Sequence, residues 1–328
     1  MDTEDKETTE LEISTGDKEQ FKRLDQFLSK KLPQYSRSLI KKLFEDGHFK
    51  SEVKLELKKM PAAGTKILIQ PPEFNETDLI PENIPLEILF EDEHLIIINK
   101  AAGMVVHPAP GNYTGTLVHA ILYHCPSLEG IGNEKRPGIV HRLDKGTSGV
   151  MVIAKNQKTH EGLVKLFSTH DINRFYEAIT LGSRVPQSKT LESLIGRNPN
   201  NRLKMSTKVK ESNGKKALTH MKVLDYFHNF SHVELKLETG RTHQIRVHLS
   251  ELLNSPILND ETYGRNKEEQ KLLPSQLRPL LKEYEHPFLH AKTLGFNHPI
   301  TNEYIEFTTE PPEIFLNVLK VLKEDANE

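Results

Sequence analysis

The segment HRLDKGTSGVMVIAK, residues 141–155, sets one carboxylate, Asp144, between Arg142 and Lys145 and then runs through two glycines into an unbroken apolar stretch. A carboxylate at the mouth of a buried strand is costly unless a cation or hydrogen-bond donors meet it. The segment LETGRTHQIRVHLSELL, residues 237–253, supplies a cation. Its spacing predicts a helix over 242–253, with Thr242 as N-cap and Ile245, Leu249, Leu252 and Leu253 as the buried stripe. His243 and Arg246, three apart, share another face. Opposite Asp144, the Arg246 guanidinium would keep the carboxylate ionised by pairing and hydrogen bonding. A carboxylate held charged in a largely dry site serves as nucleophile or general base, and the same two residue types also build structural ion pairs.

Sixteen histidines invite a metal reading. His243 and His248 are five apart, so a helix points them in different directions, and a single cysteine, Cys125, forecloses thiolate sites. GTSG and GKKALTH lack the Gly-x4-Gly-Lys-Ser/Thr phosphate-loop pattern, and Ser148 has no local His–Asp relay. Neither a metal nor a cofactor is expected. A metal-dependent hydrolase built on the histidines stays an alternative that a chelator would test.

These residues need a scaffold. LEILFEDEHLIIINK (86–100) reads as two strands around an acidic turn, and GIVHRLDKGTSGVMVIAK as strand, loop, strand. NRFYEAITLG and SHVELKLETG add further strands, and helices are predicted at 114–124, 157–169, 242–253 and 312–323. Without regular βαβ alternation, residues 86–328 are expected to form an α+β domain on a mainly antiparallel or mixed sheet. Proline-rich 71–85 reads as a linker. Residues 21–70 form a small module. Its first helix carries Phe21, Leu24, Phe27, Leu28 and Leu32. The second carries Leu39, Ile40, Leu43 and Phe44, with Ser36 as N-cap and Gly47 as terminator. Strands follow in KSEVKLELKKM, through Val53, Leu55 and Leu57, and in GTKILIQ. Residues 1–20, acidic and poor in large apolar groups, are expected to be a disordered tail.

With 27% charged and 36% hydrophobic residues, the 328-residue chain has ordinary globular composition. No apolar run approaches the roughly 20 residues that span a bilayer, and the N-terminus lacks an apolar signal core. One cysteine fits a reducing cytoplasm. The net charge of −2 hides an uneven distribution. Residues 1–20 hold eight acids against two lysines, whereas 22–59 hold eleven basic residues against five acids, and 197–216 seven against Glu211 alone. Two such patches are the footprint of a phosphate-backbone partner. Arg37, Lys41 and Lys42 in the first, and Arg197, Arg202 and Lys204 in the second, are the candidate RNA contacts. Aromatic residues at 7% and the absence of Trp argue against a general single-strand stacking platform.

Six blocks in one order, INKAAGMVVHPAPGNYTGTLVHAI, HRLDKGTSGVMVIAK, RFYEAI, GKKALTHMKV, LETGRTHQIRVHL and LHAKTLGFNHP, carry a resemblance to the RluA-type family of RNA pseudouridine synthases, most closely its RluD-like branch. It runs from about residue 21 to 325, and the first module resembles the alpha-L RNA-binding motif. Two departures stand out: Ala101 replaces the usual proline, and HFKSEVKLELKKMPAAGT stands where the alpha-L motif commonly has an Asn-Gly turn. The resemblance implies a pseudouridine synthase domain with a central cleft. It makes Asp144 the essential aspartate, acting at the ribose C1′ or promoting elimination to a glycal, with Arg246 as its paired cation. Tyr176 would stack on the flipped uracil and assist proton removal at the new carbon–carbon bond. Arg142 would fill the gap left by the uridine, with His141 and Arg241 on the RNA side and His141 and Thr147 also shaping the loop. The implied activity is isomerisation of uridines in large-subunit ribosomal RNA, or in the assembling subunit, by a cytoplasmic monomer with no membrane partner. A tRNA-directed synthase and a non-catalytic RNA-binding or ribosome-assembly factor are the alternatives.

Overall fold

The computed structural model describes residues 9–32, 37–69, 79–109, 112–133, 136–182, 184–201, 203–264 and 273–326. The N-terminal module holds β1 (Thr9–Glu12), α1 (Thr15–Gln20), α2 (Leu24–Lys31), α3 (Arg37–Glu45), β2 (Phe49–Lys50) and β3 (Lys66–Ile69). Phe27, Leu28, Ile40, Leu43 and Ile67 close its core. The two expected helices are present; Ser36, the expected cap of the second, lies outside the described residues, as do 70–78 of the linker.

Two expectations are corrected here. Residues 9–20 are ordered, because the chain pairs β1 with β3, buries Ile13 and sets Lys66 2.9 Å from Glu10. A capping box, Ser14 with Asp17, starts α1. The strand expected through Val53, Leu55 and Leu57 is replaced by turns, since β1 and β2 already occupy the two edges of β3.

Beyond the linker come β4 (Glu87–Glu91), β5 (Leu95–Lys100), α4 (Leu117–His124), a short hairpin of β6 (Gly132–Asn133) and β7 (Arg136–Pro137), β8 (Ser148–Ala154), α5 (Gln157–Thr169) and β9 (Asn173–Leu181). They are followed by β10 (Ser188–Arg197), β11 (Met205–Ser206), β12 (Lys215–Phe227), β13 (Phe230–Leu237), α6 (Gln244–Val247), α7 (Leu277–Glu283), β14 (Leu289–Asn297), β15 (Tyr304–Thr308) and α8 (Glu313–Asp325). Ten of these strands form one mixed sheet in the order β11-β10-β12-β13-β9-β14-β8-β5-β4, with β15 beside β14. The fold is α+β. Every residue of β8 is buried, because alternate side chains enter separate cores on the two faces: Met151 and Ile153 with α4, Val150 and Val152 with Leu163 of α5. The strand expected before the HRLD loop is absent; Ile139 makes only a single bridge to Ile153. No helix among the described residues is long and apolar enough to cross a membrane.

The sheet has one seam. β8 and β14 run parallel for two residue pairs, Ser148 with His290 and Gly149 with Ala291, whereas the other described pairings in this sheet are antiparallel. Gly149 sits at φ +120°, and a Cβ there would collide with the Ala291 carbonyl oxygen, so glycine permits the close approach. Ala291 pairs on its other side with Tyr176. The loop carrying Asp144 and the strand carrying Tyr176 are thereby brought to one place.

The helix expected over 242–253 is also altered. It starts at Gln244, with His243 and not Thr242 at the cap position, and passes after Val247 into a π-helical turn, His248–Leu252. The cap residue makes no side-chain bond to the helix, and the segment is held instead by Gln244. Its Oε1 accepts from the Arg241 amide and the Thr239 hydroxyl, while its Nε2 donates to the Leu218 carbonyl and the Thr219 hydroxyl on β12.

Candidate active site

At the seam lies a cleft of about 490 Å³, walled by the HRLD loop, the first half of β9 and the 240–246 turn. Asp144, Arg142, Arg174, Tyr176, His243 and Arg246 all line it. The structure therefore brings Asp144, Tyr176 and Arg246 together.

The pairing inside the cleft differs from the expected simple couple. Arg246 gives its fork to Asp260, Nε to Oδ2 at 2.7 Å and Nη2 to Oδ1 at 2.8 Å, and only Nη1 reaches Asp144 Oδ2, at 3.3 Å. Asp260 has a fully buried side chain and accepts two more bonds, from the amides of Thr262 and Tyr263. Burial opposes the Arg246 charge, but the hydrogen bonds and charge of Asp260, joined by Asp144, drive its pKa above the ordinary value. One guanidinium thus serves two carboxylates, and these three groups together sum to a formal −1. Asp260 is saturated; Asp144 is not, and its side chain is 21% exposed to the cleft.

Tyr176 is buried at the back of the cleft. Burial raises its pKa, Arg174 opposes and Asp144 reinforces the shift, so at neutral pH the phenol keeps its proton. Arg174, two residues earlier on the same strand face, is buried beside it and donates from Nη2 to the Glu238 carbonyl at 3.0 Å. Its Nε has no hydrogen-bond partner among the described residues. Gly240 makes room for it, since a Cβ there would come within 2.9 Å of Arg174 Nη1.

His243 adopts the left-handed conformation, φ 55° and ψ 20°, which costs a non-glycine residue about 1–3 kcal/mol. The turn directs its Nε2 to within 3.9 Å of Asp144 Oδ2, while Nδ1 meets the Tyr263 hydroxyl at 2.8 Å. Burial lowers its pKa, with Asp144 opposing and Arg246 assisting, which leaves the ring neutral at neutral pH. His248 faces the other way, between Ser193 and Thr219, and burial alone brings it down to about 4.

Behind the loop, the Val152 amide donates to His141 Nε2 at 3.1 Å and the His141 ring stacks on Phe167, 4.5 Å between centroids. Burial, with Arg174 nearby, takes His141 down to about 3, in keeping with an accepting nitrogen. The ring thus helps to fix the loop, and it also lines the cleft. Arg142 is exposed at the rim, with Nη1 3.4 Å from His107 Nε2, and burial and Arg142 together bring His107 to about 4. Lys100 lies fully inside, its ammonium against the carbonyls of Ala101, Met104 and Lys145; burial lowers it to about 7 while Asp144 pulls upward.

The remaining expected RNA contacts scatter. Arg241 lines the cleft but ties its Nε to the Lys216 carbonyl. Arg197 is exposed at the end of β10. Lys204 is half-buried with Nζ 5.8 Å from the Tyr263 ring centroid. Lys41 is exposed on α3, 3.7 Å from Glu45, away from the cleft lining. Arg202 and the side chains of Arg37 and Lys42 lie outside the described residues. Sequence reasoning missed Arg174, Lys100, Asp260 and Tyr263. The period of two from Tyr176 could have found Arg174; no spacing rule links Asp260 to Arg246. No group of three or more His, Cys, Asp or Glu among the described residues is arranged to hold a metal ion.

A family model described as RNA pseudouridylate synthase matches residues 94–251. The ribosomal large subunit pseudouridine synthase D of Zymomonas mobilis is 42% identical over 308 residues, which are 92% of this chain and 93% of that protein. The protein of the same name from Pseudomonas aeruginosa is 38% identical over 304 residues, 92% of each chain. Among solved structures, human RNA Pseudouridylate Synthase Domain Containing 4 superposes with a TM-score of 0.55 at 28% identity, covering 72% of this chain and 93% of that one.

Proposed function

The chain belongs to the RNA pseudouridylate synthase family, and on that premise we propose that it isomerises uridines of large-subunit ribosomal RNA with Asp144 as the carboxylate that acts on the ribose. The reaction breaks the N1–C1′ bond, turns the base and joins C1′ to C5; the C5 proton leaves and N1 takes one up. It needs no net redox change and no phosphate energy. The observation that carries the reading is the under-coordinated Asp144 carboxylate, open to a cleft whose deeper cation is already committed to Asp260.

A uridine inside folded RNA must leave its stack to reach that oxygen, and loops release it at lowest cost. Arg142, exposed at the rim, is suited to the vacated position. Tyr176 offers the face on which the everted uracil rests, and its retained proton makes it a hydrogen-bond donor rather than a ready base. Arg174 lines the same space beside it. Asp144 then either attacks C1′ or takes a ribose proton to give a glycal. The 21–70 module serves as an alpha-L-type RNA-binding unit, 86–328 as the catalytic domain, and the protein works as a monomer in the cytoplasm on the ribosomal RNA or the assembling subunit.

The test is pseudouridine mapping of total RNA from cells lacking the protein, complemented with wild type or Asp144→Asn. Sites in large-subunit RNA are expected to vanish, return with wild type and stay absent with the variant. Loss confined to tRNA would overturn the target, and restoration by Asp144→Asn would overturn the assignment of the carboxylate.

A further inference from the structure

His243 sits beside the acting carboxylate, and the mechanism above gives it no task. Its surroundings fix where its proton is. The Tyr263 hydroxyl accepts the Met205 amide at 2.7 Å and lies 2.8 Å from His243 Nδ1. A phenol has one proton to give, and His243 Nδ1 is the acceptor within reach among the described residues. Nδ1 therefore accepts, and the ring carries its hydrogen on Nε2. The reverse assignment would strand a buried hydroxyl proton and turn a nitrogen lone pair toward Asp144 Oδ2.

The chain of bonds has a fixed outer end. Met205 belongs to β11, inside the basic 197–216 segment, and Glu251 clamps that strand by accepting from Ser206 Oγ and from the amide and hydroxyl of Thr207. Two cations lie over the Tyr263 ring, Lys204 Nζ at 5.8 Å and the Arg246 guanidinium at 5.1 Å from its centroid. The left-handed backbone of His243 completes the aim.

We propose that His243 is a positioning residue for Asp144: the Met205–Tyr263–His243 hydrogen bonds, anchored in the basic segment, direct its Nε2–H at Asp144 Oδ2 and hold that carboxylate toward the bound nucleotide. The 3.9 Å gap is too long for a hydrogen bond in the free protein, and such contacts tighten when substrate enters. The inference rests on the reading of Asp144 as the acting carboxylate.

His243→Asn suits the test, because asparagine tolerates the left-handed backbone yet lacks the distal donor. Its kcat is expected to fall about 10- to 100-fold, with KM for an RNA stem-loop within about twofold. His243→Gln, which restores a donor near the Nε2 position, recovers most of that loss. Tyr263→Phe lowers kcat in the same direction, and combining it with His243→Asn adds less than the two separate effects. Nitrogen-15 NMR of histidine-labelled wild type shows the Nε2–H form for His243, and a tautomer mixture in Tyr263→Phe. A wild-type proton on Nδ1, or unchanged kcat in folded His243→Asn while Asp144→Asn is inactive, overturns this inference. Turnover by Asp144→Asn instead overturns the reading beneath it.

Discussion

Tyr176 and Glu177 are neighbours on β9, and the alternation of the strand sends them to opposite faces, where each side holds a cluster of buried charge. Behind the sheet, Glu177 has a partner on each oxygen: His232 Nε2 lies 3.1 Å from one and Lys292 Nζ 2.5 Å from the other, with Phe315 of α8 edge-on to the His232 ring. In the cleft, Asp144 has a guanidinium nitrogen at 3.3 Å and an imidazole nitrogen at 3.9 Å, and part of its surface meets solvent. Both carboxylates have cationic or imidazole neighbours. One is finished, and the other has bonding capacity left. Asp260 repeats the finished pattern behind the cleft wall, taking the Arg246 fork so that Asp144 cannot. A carboxylate fully satisfied in the ground state has little to offer a reacting atom.

The sharpest way to break this contrast is Asp144→Asn. Turnover is expected to drop at least about 10³-fold, measured by tritium release from C5-labelled uridine in RNA, while the denaturation midpoint barely moves. Asp260→Ala reverses the pattern: an unpartnered buried Arg246 destabilises the fold by about 3–5 kcal/mol in urea unfolding. Turnover falls as well, since the freed guanidinium closes on Asp144. Glu177→Gln changes stability without changing kcat. Burial alone would raise the Glu177 pKa, but hydrogen bonds from His232 and Lys292 overcome it and bring the group to about 2. Its contribution is therefore present above pH 4.5 and is lost as pH falls from there through 2, up to about 3 kcal/mol. Wild type loses stability over that window, and Glu177→Gln shows a flatter acid limb. The smallest effect belongs to the exposed Lys208 and Lys210 on the basic segment. Each change to Ala weakens RNA binding evenly across sequences and reduces the salt slope by about 1, read by titration at several ionic strengths.

Local signals made the scaffold legible. The expected helix over 157–169 matches α5, because the Asn156 side chain accepts the Thr159 amide and the apolar spacing needs no distant partner. β13 follows from the alternation of Val233, Leu235 and Leu237. The meeting of Asp144 with Arg246 was readable from residue chemistry, since a charge beside a buried strand must be answered. What answers Arg246 was not, as Asp260 reaches it through a turn fixed only by the folded chain. Thr242 looked like a cap because its type is right, yet the helix starts one residue later without a side-chain cap, and Gln244 fixes the segment by bonding to β12, a strand distant in sequence. The acidic residues 9–20 read as a tail because their partners, β3 and Lys66, lie more than fifty residues downstream.

The wide turn at His248–Leu252 has a consequence for how this molecule can change over generations. An α-helix advances about 100° per residue, and a π turn is an α-helix carrying one residue too many. That surplus sets the phase of the residues after it relative to Ile245 and Arg246, which precede it. Deleting any single residue there would restore ordinary winding and turn the two halves out of their present phase. Mutation can exchange the side chains of this segment one at a time, but it cannot shorten it: the count of residues is itself part of the inheritance.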